Sequence, residues 1–205
     1  RCYATGGQYS TGQVQVAQLL RFHWAAHALK SGTFVPVMIE AITNANFRLD
    51  STSARPAEKG GRKFFRVHDS GDFFSLDYLA AWYEIAAALP DITFWAPSRI
   101  WAAQGFPKQL PPDNFIIRPS AYLVNQPGPD LPQWPTAGTT VYHISLKDKA
   151  HGRAFDWDCQ AYATKDVGHT CRNAIAPNAD GSSSGKTGCR ACWIHPHLRI
   201  NYTEH

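Results

Sequence analysis

Charge is scarce in this sequence. Its 205 residues include 20 Lys and Arg against 16 Asp and Glu, so 18% of the chain is charged and the net balance is +4. With no dense basic block, that balance permits an anionic partner without arguing for nucleic acid. No apolar run reaches the roughly eighteen residues of a transmembrane helix. The opening RCYATGGQYS lacks the basic-then-apolar pattern of a secretory signal. Cysteine is also sparse and unevenly placed. There are five, an odd number, and Cys159, Cys171, Cys189 and Cys192 fall in the last 47 residues. That distribution speaks against a secreted disulfide scaffold and for a reducing compartment with thiols available to a metal.

What is present is a globular composition. The chain is 44% hydrophobic, and its length suits one domain, or a domain with a subdomain, with a proper core. Seven Trp, eight Tyr and eleven Phe imply bulky core packing, with stacking platforms for bases or a planar cofactor as the sharper alternative.

Residues 11–29 read as a helix. Val16, Leu19, Leu20, His23, Trp24 and His27 recur at i, i+3, i+4 and are expected to form its inward face. His23 and His27 lie one turn apart. Without a Glu after the first histidine the zinc-protease pattern is absent, and a partly buried, hydrogen-bonded pair is expected. Gly32 ends the helix, and FVPVMIEAITNANF predicts a second. Residues 51–63 form a polar loop. KFFRVHD, residues 63–69, then predicts a buried, central strand. Ser75 caps the next helix, with Asp77 in its first turn and Leu79, Trp82, Tyr83 and Ala86 on its apolar face. DITFWAP, residues 91–97, completes a βαβ unit and implies a parallel pair. Further strands are expected at 114–120 and 140–146.

In parallel α/β architectures the strand C-termini carry the site. HDSGDFF, residues 68–74, brings His68, Asp69 and Asp72 to that edge, with Gly71 allowing close backbone approach. His68 reads equally as a core histidine, and Asp72 as a helix cap. At the next strand end, Ser98 and Arg99 would face the same rim, where Arg99 suits a carboxylate or phosphate.

The second chemical centre is the tail. Cys159-x11-Cys171-x17-Cys189-x2-Cys192 offers four thiols in a loop-rich stretch. Four thiolates suit tetrahedral zinc or a [4Fe–4S] cluster, and the spacing leaves the two open. His195 and His197 are substitutes for one thiol.

The order CYATGGQY, RVHDSGDFFSLDYLAAWYEIAAALPDITFWAPSR, GCRACW, INYTEH resembles the phage gene-product-88 family, proteins of bacteriophages and mobile elements, through most of the chain. More distantly that family resembles radical S-adenosylmethionine (SAM) proteins. There, cysteines up to and including a CYA-like segment bind a [4Fe–4S] cluster, and a small-Gly-acidic triplet at a strand end holds the methionine part of SAM. The resemblance implies those roles for Cys2 and for Ser70, Gly71 and Asp72. It also implies the cytoplasm of a bacterial host.

The expected fold is α/β: an incomplete (β/α) barrel-like parallel sheet in residues 1–146, with a Cys-rich, metal-held extension in 147–205. The leading function is a phage metalloprotein with an iron–sulfur cluster or zinc on Cys159, Cys171, Cys189 and Cys192, leaning towards a radical-SAM-like enzyme. His68, Asp69 and Asp72 are its candidate catalytic residues. Cys2, Ser70, Gly71 and Arg99 are candidates to hold SAM or another cofactor. The rivals are a zinc-stabilised nucleic-acid-binding module and a host-protein-binding factor. A small-molecule or nucleic-acid substrate is expected, and no membrane partner.

Overall fold

A computed structural model describes residues 7–45, 63–68, 71–106, 109–123, 125–132, 134–142, 157–158, 175–180, 183–187 and 191–203. The architecture is mixed α/β around a three-stranded parallel sheet. Helices α1 (Gly12–Lys30) and α2 (Phe34–Asn44) precede β1 (Lys63–Arg66), α3 (Leu76–Ala88), β2 (Ile92–Ser98) and β3 (Phe115–Pro119). The strand order is β1-β2-β3, both pairings parallel, as the βαβ pattern requires.

Local chemistry sets the boundaries. Gly32, at φ +71°, closes α1 with a Schellman turn in which Thr33 N–H reaches Ala28 O at 2.9 Å. Ser75 caps α3 by accepting from Tyr78 N–H at 3.1 Å. At the other end of α3, the Asn114 amide donates to Ala86, Leu89 and Ile92 carbonyls, tying the helix exit to the starts of β2 and β3.

Each face of the sheet has its own layer. Phe65, Phe94 and Phe115 are register partners, so they stand side by side on one face. Their rings, 5.5 and 5.8 Å apart, form a ladder. Trp82 and Tyr83 of α3 pack onto it at about the same spacing, with Trp82 6.0 Å from Phe65 and Tyr83 6.0 Å from Phe115. This is the main core, completed by Ile85, Ala86, Ala96 and Ile117. The opposite face carries Arg66, Trp95, Ile116 and Arg118, with the Arg66 guanidinium 5.0 Å over the Trp95 ring.

The later chain supplies β4 (Thr139–Tyr142), β5 (Trp157–Asp158) and β8 (Ile200–Thr203), ordered β4-β8-β5 and again all parallel. A parallel bridge from Ser120 to Thr139 links the end of β3 to β4. An antiparallel ribbon, β6 (Ile175–Pro177) and β7 (Ser183–Thr187), and a one-turn helix, α4 (Ala191–Ile194), complete the described elements.

Two expectations are corrected. β1 is an edge strand of its sheet, half-buried along its length rather than central, because nothing pairs with its outer side among the described residues. The larger correction concerns α1. Its buried residues are Ala25 and Ala28, whereas Val16, Leu19, Leu20, His23, Trp24 and His27 are exposed. Small side chains let the helix approach α2 and α3 closely, and that close approach selected the alanine face over the bulky one.

Candidate functional site

The C-terminal edge of the parallel sheet gathers the described residues of the HDSGDFF segment. Asp72 folds back over the rim. One carboxylate oxygen accepts from the Ser98 hydroxyl at 2.5 Å and from Phe73 N–H at 2.7 Å, and the other accepts from Arg99 N–H at 2.7 Å. The carboxylate therefore clasps the β1–α3 loop to the end of β2. It does not cap α3, since Ser75 does. Gly71, at φ +87°, makes the reversal that a side chain would strain. Arg99 is exposed, with its Nε donating to Ala121 O at 3.2 Å beyond β3, and Trp101 Nε1 donates to Ser120 O at 2.8 Å. Asp72, Ser98, Arg99, Ser120 and Ala121 thus form one hydrogen-bonded rim across three strand ends.

His68 sits behind that rim. Its ring packs 4.7 Å from Phe73 and 5.9 Å from Tyr78, and both ring nitrogens are buried without a hydrogen-bond partner. Burial pushes its pKa down to about 4 against the opposing pull of the Asp72 carboxylate, so the imidazole is neutral at physiological pH. A neutral imidazole is the form that accepts a proton or binds a metal. Leaving a buried polar group unpaired costs about 1–3 kcal/mol.

The tail enters through Cys192, buried in α4. The clamp that holds it is Arg118, which the sequence reading did not single out. This side chain is fully buried on the second face of the sheet. Its Nε donates to Cys192 O at 3.2 Å, one terminal nitrogen to Ala191 O and His195 O at 3.0 and 2.6 Å, and the other to Leu198 O at 2.6 Å and, at 3.4 Å, to Ala137 O and Pro196 O. The signal was an arginine inside NFIIRPS, an otherwise buried strand. His197 donates from Nε2 to Ala179 O at 2.6 Å, next to the β6–β7 ribbon, and its ring lies 6.0 Å from that of His195.

The structure thus brings His68, Gly71, Asp72 and Arg99 to one rim and places Cys192 under the sheet. Asp69, Ser70, Cys2, Cys159, Cys171 and Cys189 lie outside the described residues. Among the described residues, no three His, Cys, Asp or Glu side chains meet as a metal-holding group. No described helix is long and apolar enough to cross a membrane.

A family model described as "Gene product 88" matches residues 1–195. The Gene 88 protein of Mycobacterium phage L5 is 41% identical over 59 residues, 29% of this chain and 25% of that protein. The Gene 88 protein of Mycobacterium phage D29 is 44% identical over 46 residues, 22% of this chain and 19% of its own length. The chain's matches thus span about a quarter or less of these relatives. These findings support the phage family and lend none to the more distant radical-SAM likeness. No solved structure matches the chain.

Proposed function

The chain belongs to the Gene product 88 family, and from there we propose that it is a phage metalloprotein whose tail cysteines hold an iron–sulfur cluster or zinc. Cys159, Cys171, Cys189 and Cys192 are the ligands in this reading, and residues 147–205 are the extension that the metal holds on a core of residues 1–146. The observation that carries it is the fixing of Cys192. A fully buried guanidinium anchors the peptide of the second cysteine of the CxxC pair within a tail that has little apolar periodicity of its own. A backbone already fixed at one ligand lowers the ordering cost of bringing four thiolates to about 2.3 Å from one centre.

The rim is the second part of the reading. His68, neutral and unpartnered, is a proton acceptor or metal ligand, and Asp72 orients the rim that Arg99 offers to an anionic group. Asp69, Ser70 and Gly71 border it in sequence. In the radical-SAM form of the proposal, Ser70, Gly71 and Arg99 hold SAM, Cys2 joins the cluster-binding cysteines, and the parallel strands form an incomplete barrel around the site. A bound cluster would supply one electron to SAM, and the protein would orient and shield the substrate.

Anaerobic purification with metal and sulfide analysis tests the reading. Brown protein absorbing at about 400 nm, with iron and sulfide, supports the cluster, and colourless protein with one zinc per chain supports zinc. Metal loss in Cys192→Ala is expected in either case. A folded, metal-free protein would overturn the proposal. Arg99 is exposed, and Phe74 and Tyr122, within two residues in sequence of its partners Asp72 and Ala121, are 41% and 62% exposed, which favours a nucleic-acid-binding form of the zinc arm. Salt-dependent DNA binding lost in Arg99→Ala identifies that form.

A further inference from the structure

The Asp72 carboxylate lies in a cradle of donors. The Ser98 hydroxyl reaches it at 2.5 Å, and the backbone N–H groups of Phe73 and Arg99 reach it at 2.7 Å each. The Ser98 hydroxyl is itself fixed, because its oxygen accepts from Ile100 N–H at 3.0 Å. The Arg99 guanidinium belongs to the same strand end, with Nε tied to Ala121 O. Among the described residues its two terminal nitrogens have no partner. Fixed N–H and O–H donors beside a planar guanidinium are what an oxyanion requires. Here the chain's own carboxylate fills the place.

A second observation shows where that carboxylate can go. Both ring nitrogens of His68 are buried without a partner, and a neutral imidazole always carries one N–H to donate. Burial lowers the His68 pKa, and the neighbouring Asp72 charge is the influence that opposes it. The histidine is held in place. Arg66 Nε donates to its carbonyl at 2.7 Å, and Phe73 and Tyr78 flank its ring. Asp72, next to the Gly71 reversal, is the group free to turn. We infer that Asp72 is a built-in competitor at an oxyanion site: a phosphate or carboxylate group of a ligand displaces it from Ser98 and Arg99, and the freed carboxylate accepts the N–H of His68. The exchange pairs a donor that is unpaired at rest, and the terminal nitrogens of Arg99 give the ligand bonds that Asp72 does not make. The inference rests on reading the rim as an anion site and is independent of metal in the tail.

The test is calorimetric titration of the whole chain at neutral pH with inorganic phosphate and, separately, with acetate. Saturable binding is expected, and the tighter of the two gives the class of ligand group. Asp72→Asn removes the competing charge at nearly constant size and should tighten binding by about tenfold or more. His68→Phe should weaken binding by about tenfold in the parent chain and leave it unchanged in the Asp72→Asn background, where no carboxylate needs the imidazole. Nitrogen NMR of the His68 ring should report a new hydrogen bond as the anion is added to the parent chain, a readout that needs no substitution. Binding of neither anion by any form would overturn the anion-site reading and the inference together. Weaker binding in Asp72→Asn would leave an anion site and overturn the exchange. So would tighter binding in Asp72→Asn with no effect of His68→Phe in either background, because removal of a charge alone would then account for it.

Discussion

The two faces of the three-stranded sheet are held by different physics. On the α3 side a ladder of three phenylalanines meets Trp82 and Tyr83, and the layer depends on apolar area shared among many residues. On the other side one guanidinium donates to six backbone carbonyls, five of them between residues 191 and 198. The apolar layer is non-directional and tolerates repacking. The arginine clamp is directional. It specifies where one short segment sits, and that segment carries Cys192. Bulk stability and placement of the candidate metal ligand are thus assigned to opposite faces.

The largest effect should come from the apolar side. Phe94→Ala removes the middle rung of the ladder and should cost about 4–5 kcal/mol. The loss should appear as one cooperative shift of the chemical denaturation midpoint. Survival of the α3 layer with only local loosening would count against a single shared core.

Arg118→Leu should cost about 3–4 kcal/mol, because six carbonyls lose a charged, buried donor, although Ala191, His195 and Pro196 keep a backbone N–H. The pattern should differ from that of Phe94→Ala. Hydrogen exchange should rise in residues 191–203 while residues 76–98 stay protected. Uniform loss of protection would merge the two faces into one unit and break the comparison. Arg118→Lys keeps the charge but not the planar fork, and should recover only part of the loss.

His68 sharpens the contrast through pH. Its pKa in the folded protein, about 4, is below the ordinary 6.5. Between those values the unfolded chain binds the extra proton, so stability falls as pH drops from about 6.5 to about 4 and is unaffected by this group above that range. The total is at most about 3 kcal/mol. Denaturation at stepped pH should show the slope, and His68→Phe should flatten it. An unchanged slope would mean that another group titrates. The smallest effect belongs to Ser75→Ala, which removes the α3 cap and should cost about 1 kcal/mol. Thermal melts should show that loss with metal content and rim binding intact, whereas Asp72→Asn should disturb the rim itself.

Much of the βαβ unit was legible in the sequence because its signals are local. Ser75 is a cap, Asp77 sits in the first turn, and Leu79, Trp82, Tyr83 and Ala86 repeat at helical spacing, so α3 follows from short-range rules. Gly71 marked a backbone reversal, and a parallel pair implied that His68, Asp72 and Arg99 lie at one edge. The face of α1 was not legible. Hydrophobic periodicity picked the bulky stripe, but helix docking rewards close approach, and Ala25 and Ala28 allow it.

The sequence by itself determined the order of helices and strands as far as β4, the cap of α3, and the clustering of polar residues after β1 and β2, because these depend on neighbours a few positions away. It implied loops where β5 to β8 and α4 form, since those short elements are set by distant pairing. Tertiary structure alone decided three things. Arg118 and the segment at 191–198 are over seventy residues apart, so no local pattern pairs a buried guanidinium with those carbonyls. His68 lost its hydrogen-bond partners only when Phe73 and Tyr78 closed around it. Asp72 became a clasp on Ser98 and Arg99 because parallel pairing set the ends of β1 and β2 side by side, turning two separate loops into one rim.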